Sequence, residues 1–151
     1  MDMQLDEIPD NVIAEEYINR FKKKVGDRLS KAEDTANHLR AFLRDYDESV
    51  EHFCVVFLDN QNKIIATEVV ASGTINTAAV FPRQIVKKVI QHEASSVILG
   101  HPHSSGDTTP SGSDRAVTRK IKDALELIDV STLDHLIIGE GYFSFADERL
   151  L

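Results

Sequence analysis

His101 and His103 stand two residues apart, and Asp114 follows further along the same polar stretch. In extended backbone, residues i and i+2 face one side, so both imidazoles point the same way. The loop from His101 to Ser113 contains Gly106, Pro110 and Gly112, residues that turn a chain and can return the Asp114 carboxylate to the histidines. Two histidines and one carboxylate make a three-ligand set with a fourth position open to water, the arrangement of a catalytic zinc. Water in such a site has its pKa lowered to about 7. The same residues carry a second reading. Ser111-Gly112-Ser113-Asp114 has the spacing of a capping box, with Ser111 at the N-cap and Asp114 at N3. An acid in a first helical turn is favoured by the helix dipole with no metal present.

Either reading needs a strand before the loop and a helix after it. Ser96 to Gly100 is a short apolar run that suits a buried strand. After the loop, Val117, Ile121, Ala124, Leu125 and Ile128 recur at helical spacing. Thr132 to Ile138 reads as a further strand, and Gly139-Glu140-Gly141 turns it into Tyr142 to Phe145. Upstream, Phe53 to Leu58 is a buried strand, Asp59 to Lys63 a polar turn, and Ile64 to Ala71 the returning strand. Gly73 and Thr74 break the pattern, and Pro82 opens a helix with Ile85, Val86, Val89 and Ile90 on one face.

The first fifty residues read as two helices. Asp10 or Asn11 caps the first, whose apolar face carries Ile13, Tyr17, Phe21 and Val25. Ser30-Lys31-Ala32-Glu33 has the pattern of a capping box for the second, with Leu39, Phe42 and Leu43 inward. No internal repeat is present. The order αα-ββ-α-β-α-ββ predicts an α/β (α+β) fold, a mixed sheet flanked by helices.

Composition narrows the function classes. The 151 residues suit one domain, and 42% hydrophobic with 28% charged residues is ordinary for a globular chain. A formal charge of −8 opposes attachment to nucleic acid or an anionic membrane by bulk charge. The lone Cys54 excludes an intrachain disulfide and a cysteine-rich zinc finger. An acidic start and the lack of an apolar run near the ~20 residues of a membrane span predict a cytoplasmic protein without leader or anchor.

The stretch from Glu51 to Leu151 resembles the RadC family, within the JAMM/MPN metalloprotease-like superfamily. The family's loop pattern is His-x-His-Pro-Ser-Gly-Asp-x-x-Pro-Ser-x-x-Asp. It is matched by His101, His103, Ser105, Gly106, Asp107, Pro110, Ser111 and Asp114. Val80-Phe81-Pro82-Arg83, Asp134-His135-Leu136-Ile137-Ile138-Gly139 and Phe143-Ser144-Phe145 extend the match. The resemblance implies a three-layer, cytidine-deaminase-like architecture over residues 51–151, preceded by a helical extension over 1–50. It implies one Zn2+ per chain held by His101, His103 and Asp114. It also implies that Ser111 hydrogen-bonds the bound water or the oxyanion, and that Glu51 is the general base. On its own Glu51 reads only as a solvated acid before a strand. One departure stands out: Ser104 replaces the proline after the second histidine, and Pro102 lies between the histidines. The restraint a proline imposes therefore moves from the His103 side to the His101 side.

Other chemistry-bearing residues read as structural. His92-Glu93 lacks the second histidine of a zincin, since position 96 is Ser96. A zinc deaminase needs a pair of cysteines that this chain does not have. Asp107 beside Gly106 reads as a turn residue and Cys54 as inert core. Strand alternation points His52 away from Glu51, and sends Asp134 and His135 to opposite faces, so that at most one of the latter pair orients a metal shell. His135 itself reads as a satisfied core histidine, while His38 lies within the second helix and carries no signal. The basic cluster Arg20, Lys22, Lys23, Lys24 and Arg28 reads as a solvated helix face. Three functions follow. The first is a JAMM-type zinc hydrolase cutting amide or isopeptide bonds in a peptide or protein. The second is a non-catalytic interaction module on the same fold. The third is a DNA-repair accessory protein, suggested by the family name but opposed by the charge and by the lack of a Gly-x-Gly hairpin before Glu51.

Overall fold

The computed structural model describes residues 4–73 and 80–151. A five-stranded mixed sheet in the order β2-β1-β3-β4-β5 carries helices on both faces. The strands are β1 (Glu51–Leu58), β2 (Ile64–Gly73), β3 (Ser96–Pro102), β4 (Ser131–Gly139) and β5 (Gly141–Ser144). The helices are α1 (Asp10–Phe21), α2 (Ala32–Phe42), α3 (Pro82–His92) and α4 (Gly112–Glu126), with 3-10 turns at Leu5–Glu7 and Leu43–Asp45. Gly73 closes β2, and the expected break at Thr74 lies outside the described residues.

β1 is a continuous apolar run because both of its faces are covered. Phe53, Val55 and Phe57 pack with Ile85 and Val89 of α3 and Ile121 and Leu125 of α4. Cys54, Val56 and Leu58 pack with Ala36 and Leu39 of α2. The helical segment before Glu51 thus supplies one layer of the three-layer fold. β1 pairs antiparallel with β2 and with β3, while β3 and β4 run parallel, joined by α4 as crossover. The β1–β2 hairpin turns at Asp59, whose Oδ1 accepts the amides of Gln61 and Lys63.

Several local expectations are corrected. β3 runs on through His101 and Pro102, paired with Ile137 and Ile138, so the polar loop begins only at His103. No capping box forms at Ser30. α2 starts at Ala32 behind Lys31, and the Thr35 amide turns to the Lys31 carbonyl instead. α1 begins at Asp10 behind Pro9, with no side-chain cap, and stops at Phe21, leaving Val25 beyond the helix and 76% exposed. Ile90 and Ile128 also lie at the surface: the apolar stripes of α3 and α4 are narrower than their sequence pattern, and Ile128 lies past the end of α4.

His38 is buried beneath this layer. Its Nδ1 accepts the Lys23 amide at 2.7 Å, and its Nε2–H donates to the Thr67 hydroxyl at 2.9 Å. It ties the segment after α1 to the outer strand β2. Burial, with the Lys22 and Lys23 charges, lowers its pKa to about 4.

Candidate metal centre

The parallel β3–β4 ladder places Leu99 opposite His135 and His101 opposite Ile137, so His101 and His135 emerge on the same face. That face also carries Phe53, whose ring lies 5.8 Å from His101 and 5.4 Å from His135, centroid to centroid. Beyond Pro102, the His103 amide donates to the Ile138 carbonyl at 2.9 Å, which keeps the chain on the ladder for one more residue. The chain then turns: the Gly106 amide donates to the His103 carbonyl, with Gly106 at φ +83°. Ser104 occupies the turn position that proline favours, and the turn forms with serine there.

The loop ends at the N-terminus of α4, where Ser111 and Asp114 form the expected capping box. The Asp114 amide donates to Ser111 Oγ at 3.0 Å, and the Ser111 amide donates to Asp114 Oδ2 at 2.8 Å. The capping and metal readings are therefore one arrangement. The cap aims the carboxylate back at the histidines, with His101 Nε2 3.1 Å from Oδ1 and His103 Nε2 3.1 Å from Oδ2. The two Nε2 atoms are themselves 3.1 Å apart. Burial pushes the Asp114 carboxyl up, but the hydrogen bond and charge that His101 supplies when protonated, with the Ser111 amide, outweigh it. The group titrates well below the usual carboxylate range and is ionised at neutral pH.

These donors suit zinc. Two imidazole nitrogens and a carboxylate oxygen are borderline ligands of the right type. Their spacing is close to the roughly 3.4 Å edge of a tetrahedron with bonds of about 2.1 Å. His103 Nδ1 donates to the Asp107 carbonyl at 2.8 Å, and a carbonyl can only accept, so neutral His103 presents a bare Nε2 to the centre. His101, His103 and Asp114 form the group able to hold a metal ion among the described residues. A cavity of about 480 Å³ opens over them, lined also by Glu51 and Ser111. Glu51, half-buried at the start of β1, lies on the cavity side, whereas His52 turns away to Ser72 and the Asp47 carbonyl.

The remaining expectations resolve as follows. Asp107 is a turn residue, its Oδ1 accepting the Thr109 amide, but its carbonyl orients His103. Asp134 and His135 part to opposite faces. Asp134 receives the His135 and Ala146 amides and the Ser144 hydroxyl, and its pKa is raised by burial. His135 is fully buried and satisfied, as a core histidine should be, yet its partners are His101 Nδ1, at 2.8 Å, and the Thr118 hydroxyl. Burial first, then the charges that His101 and His103 carry when protonated, hold its pKa well below the ordinary histidine value. Thr118 carries no motif in the sequence. Its signal is its spacing, one helical turn after Asp114 and on the buried face of α4. Cys54 is wholly buried, with its thiol pushed up to about 12. His92 joins Lys88 around Glu68, away from the cavity. Arg20 pairs with Glu16 within α1, and Lys22 lies over the Phe42 ring. No helix among the described residues is long and apolar enough to cross a membrane.

Comparison with known proteins agrees with this geometry. A family model described as the RadC-like JAB domain matches residues 29–150. A UPF0758 protein of Thioalkalivibrio sulfidiphilus is 45% identical over 126 residues, covering 83% of this chain and 56% of its own. One from Photobacterium profundum is 48% identical over 129 residues, 85% of this chain and 57% of its own. One from Vibrio cholerae is 41% identical over 138 residues, 91% and 85% of the two chains. The chain spans about half the length of most of the curated relatives it matches. The family match over residues 29–150 and these relatives place this chain in the RadC-like JAB domain family.

Proposed function

We propose that this domain is a zinc-dependent hydrolase of the JAMM type, cutting amide or isopeptide bonds in a peptide or protein. The observation that carries the reading is the single cavity lined by His101, His103, Asp114, Glu51 and Ser111. His101, His103 and Asp114 would hold the metal. When bound, zinc supplies Lewis-acid chemistry, acidifying water and polarising a carbonyl. Glu51, a carboxylate outside the ligand set, takes a proton from the attacking water and returns it to the leaving amine. Ser111 Oγ already accepts the Asp114 amide, which leaves its proton to donate to the developing oxyanion. The charge of −8 favours a peptide over a nucleic acid, and the unpaired Cys54 favours a cytoplasmic setting.

The test is Glu51→Gln in zinc-loaded protein, assayed on a library of peptide and isopeptide-linked substrates. Zinc content should stay at one per chain while cleavage falls by about 10²–10⁴. A zinc-loaded parent that cleaves no member of the library overturns the hydrolase reading. Equal cleavage by Glu51→Gln overturns the role given to Glu51.

A further inference from the structure

The hydrogen bonds behind His101 have a polarity that the donor inventory dictates. The Thr118 hydroxyl touches two groups: the Asp114 carbonyl at 2.6 Å and His135 Nδ1. A hydroxyl has one proton, and the carbonyl can only accept, so the proton goes to the carbonyl. Thr118 Oγ1 is then an acceptor towards His135, which requires a proton on His135 Nδ1. His135 is fully buried, with the Thr118 hydroxyl and the His101 ring as its hydrogen-bond partners; with its one ring proton on Nδ1, its Nε2 is bare. That bare nitrogen accepts from His101 Nδ1–H, which leaves neutral His101 with a lone pair on Nε2.

We propose that Thr118 and His135 form a one-way hydrogen-bond relay that fixes the tautomer of His101 and turns its Nε2 lone pair to the metal centre. The relay starts and ends on one residue. The Asp114 carbonyl anchors Thr118, and the Asp114 carboxylate faces the nitrogen that the relay prepares. With His103 set by the Asp107 carbonyl, two bare nitrogens and an ionised carboxylate converge at 3.1 Å. Such a set repels itself unless a cation lies between its members. Phe53 and Phe145 pack against the His135 ring and hold its plane, the latter stacked at 4.8 Å. Thr118 and His135 are positioning residues, and their effect reaches the metal only through His101.

This inference rests on the metal centre of the proposed function but not on hydrolysis. The test combines nitrogen-15 NMR of the histidine rings, at mildly alkaline pH with and without zinc, with zinc affinity measured against a competing chelator. In the parent, His135 and His101 should both carry the proton on Nδ1. Thr118→Val should move the His135 proton to Nε2 and weaken zinc binding by about 10–100-fold. Thr118→Ser, which keeps the hydroxyl, should retain the parental tautomers and affinity. Should the valine variant fail to fold, the parental tautomers and the serine variant decide. A parent with His135 protonated on Nε2 overturns the relay, as does Thr118→Val with parental tautomers and zinc affinity. A parent that binds zinc but cleaves nothing overturns only the hydrolase reading, because ring tautomers do not depend on turnover.

Discussion

Gly139, at the end of β4, lies directly against Gly106 in the metal-site loop: a Cβ at position 139 would overlap the Gly106 carbonyl. The neighbouring Glu140 amide donates to that carbonyl at 2.9 Å. The end of the sheet thus fixes the turn that follows His103. Gly139→Ala should push the loop outward, costing about 1–3 kcal/mol of stability and weakening zinc binding. Thermal unfolding and chelator competition check both effects; unchanged zinc affinity would show that the turn does not need this contact.

Zinc should bind at one ion per chain, and His101→Ala, His103→Ala and Asp114→Ala should each bind none. At a free zinc concentration a hundredfold above Kd, stabilisation should be about 2.7 kcal/mol. For a domain of this size that is a Tm rise on the order of 5–10 °C, reversed by chelator. Elemental analysis and thermal shift, with and without chelator, measure this directly.

Ser104→Pro should tighten the site. Position 104 follows the turn's first residue, where proline's fixed φ is favoured. Restricting the unfolded chain there should add about 0.4–1 kcal/mol of stability and increase zinc affinity. A lower Tm for the proline variant would mean that the turn needs a different φ at this position.

His38 should make the fold acid-sensitive. Its folded pKa, about 4, lies below that of an ordinary histidine. Between those values the unfolded chain binds more protons than the folded one, so stability rises with pH through this window and is lost as pH falls through it. The loss should be roughly 2–3 kcal/mol across the window. His38→Gln, which cannot titrate, should flatten that part of the stability–pH curve relative to the parent. Denaturant melts at neutral and acid pH compare the two.

Much of the architecture was legible because β1 and β3 are continuous apolar runs and α4 repeats its apolar residues at helical spacing. The ligand loop was legible because its residue types are uncommon at that spacing. The failures share a cause: a local pattern competes with tertiary packing. Ser30 has the chemistry of a cap, but the helix starts one residue too late to use it. His101 belongs to the strand and not the loop, because its backbone continues the β4 ladder past the last apolar residue. His135 reads in the sequence as a satisfied core residue, and it is one. What satisfies it is His101 on the adjacent strand, and cross-strand register is not written in local sequence. Thr118 and the Asp107 carbonyl are invisible for the same reason: one is an ordinary helical threonine, the other a backbone atom.

The candidate metal ligands all belong to the passage from β3 into α4, residues 101–114, whereas Glu51 reaches the cavity only because β1 lies antiparallel beside β3, with Cys54 opposite Gly100. The proposed metal capture and the proposed proton transfer are therefore encoded in separate parts of the chain. Glu51 stands at the outer end of a strand whose buried ladder does not depend on its carboxylate. On that proposal, Glu51→Gln leaves a domain that folds and still holds zinc yet no longer moves a proton. On the proposed mechanism, the step from enzyme to binding module is one residue long.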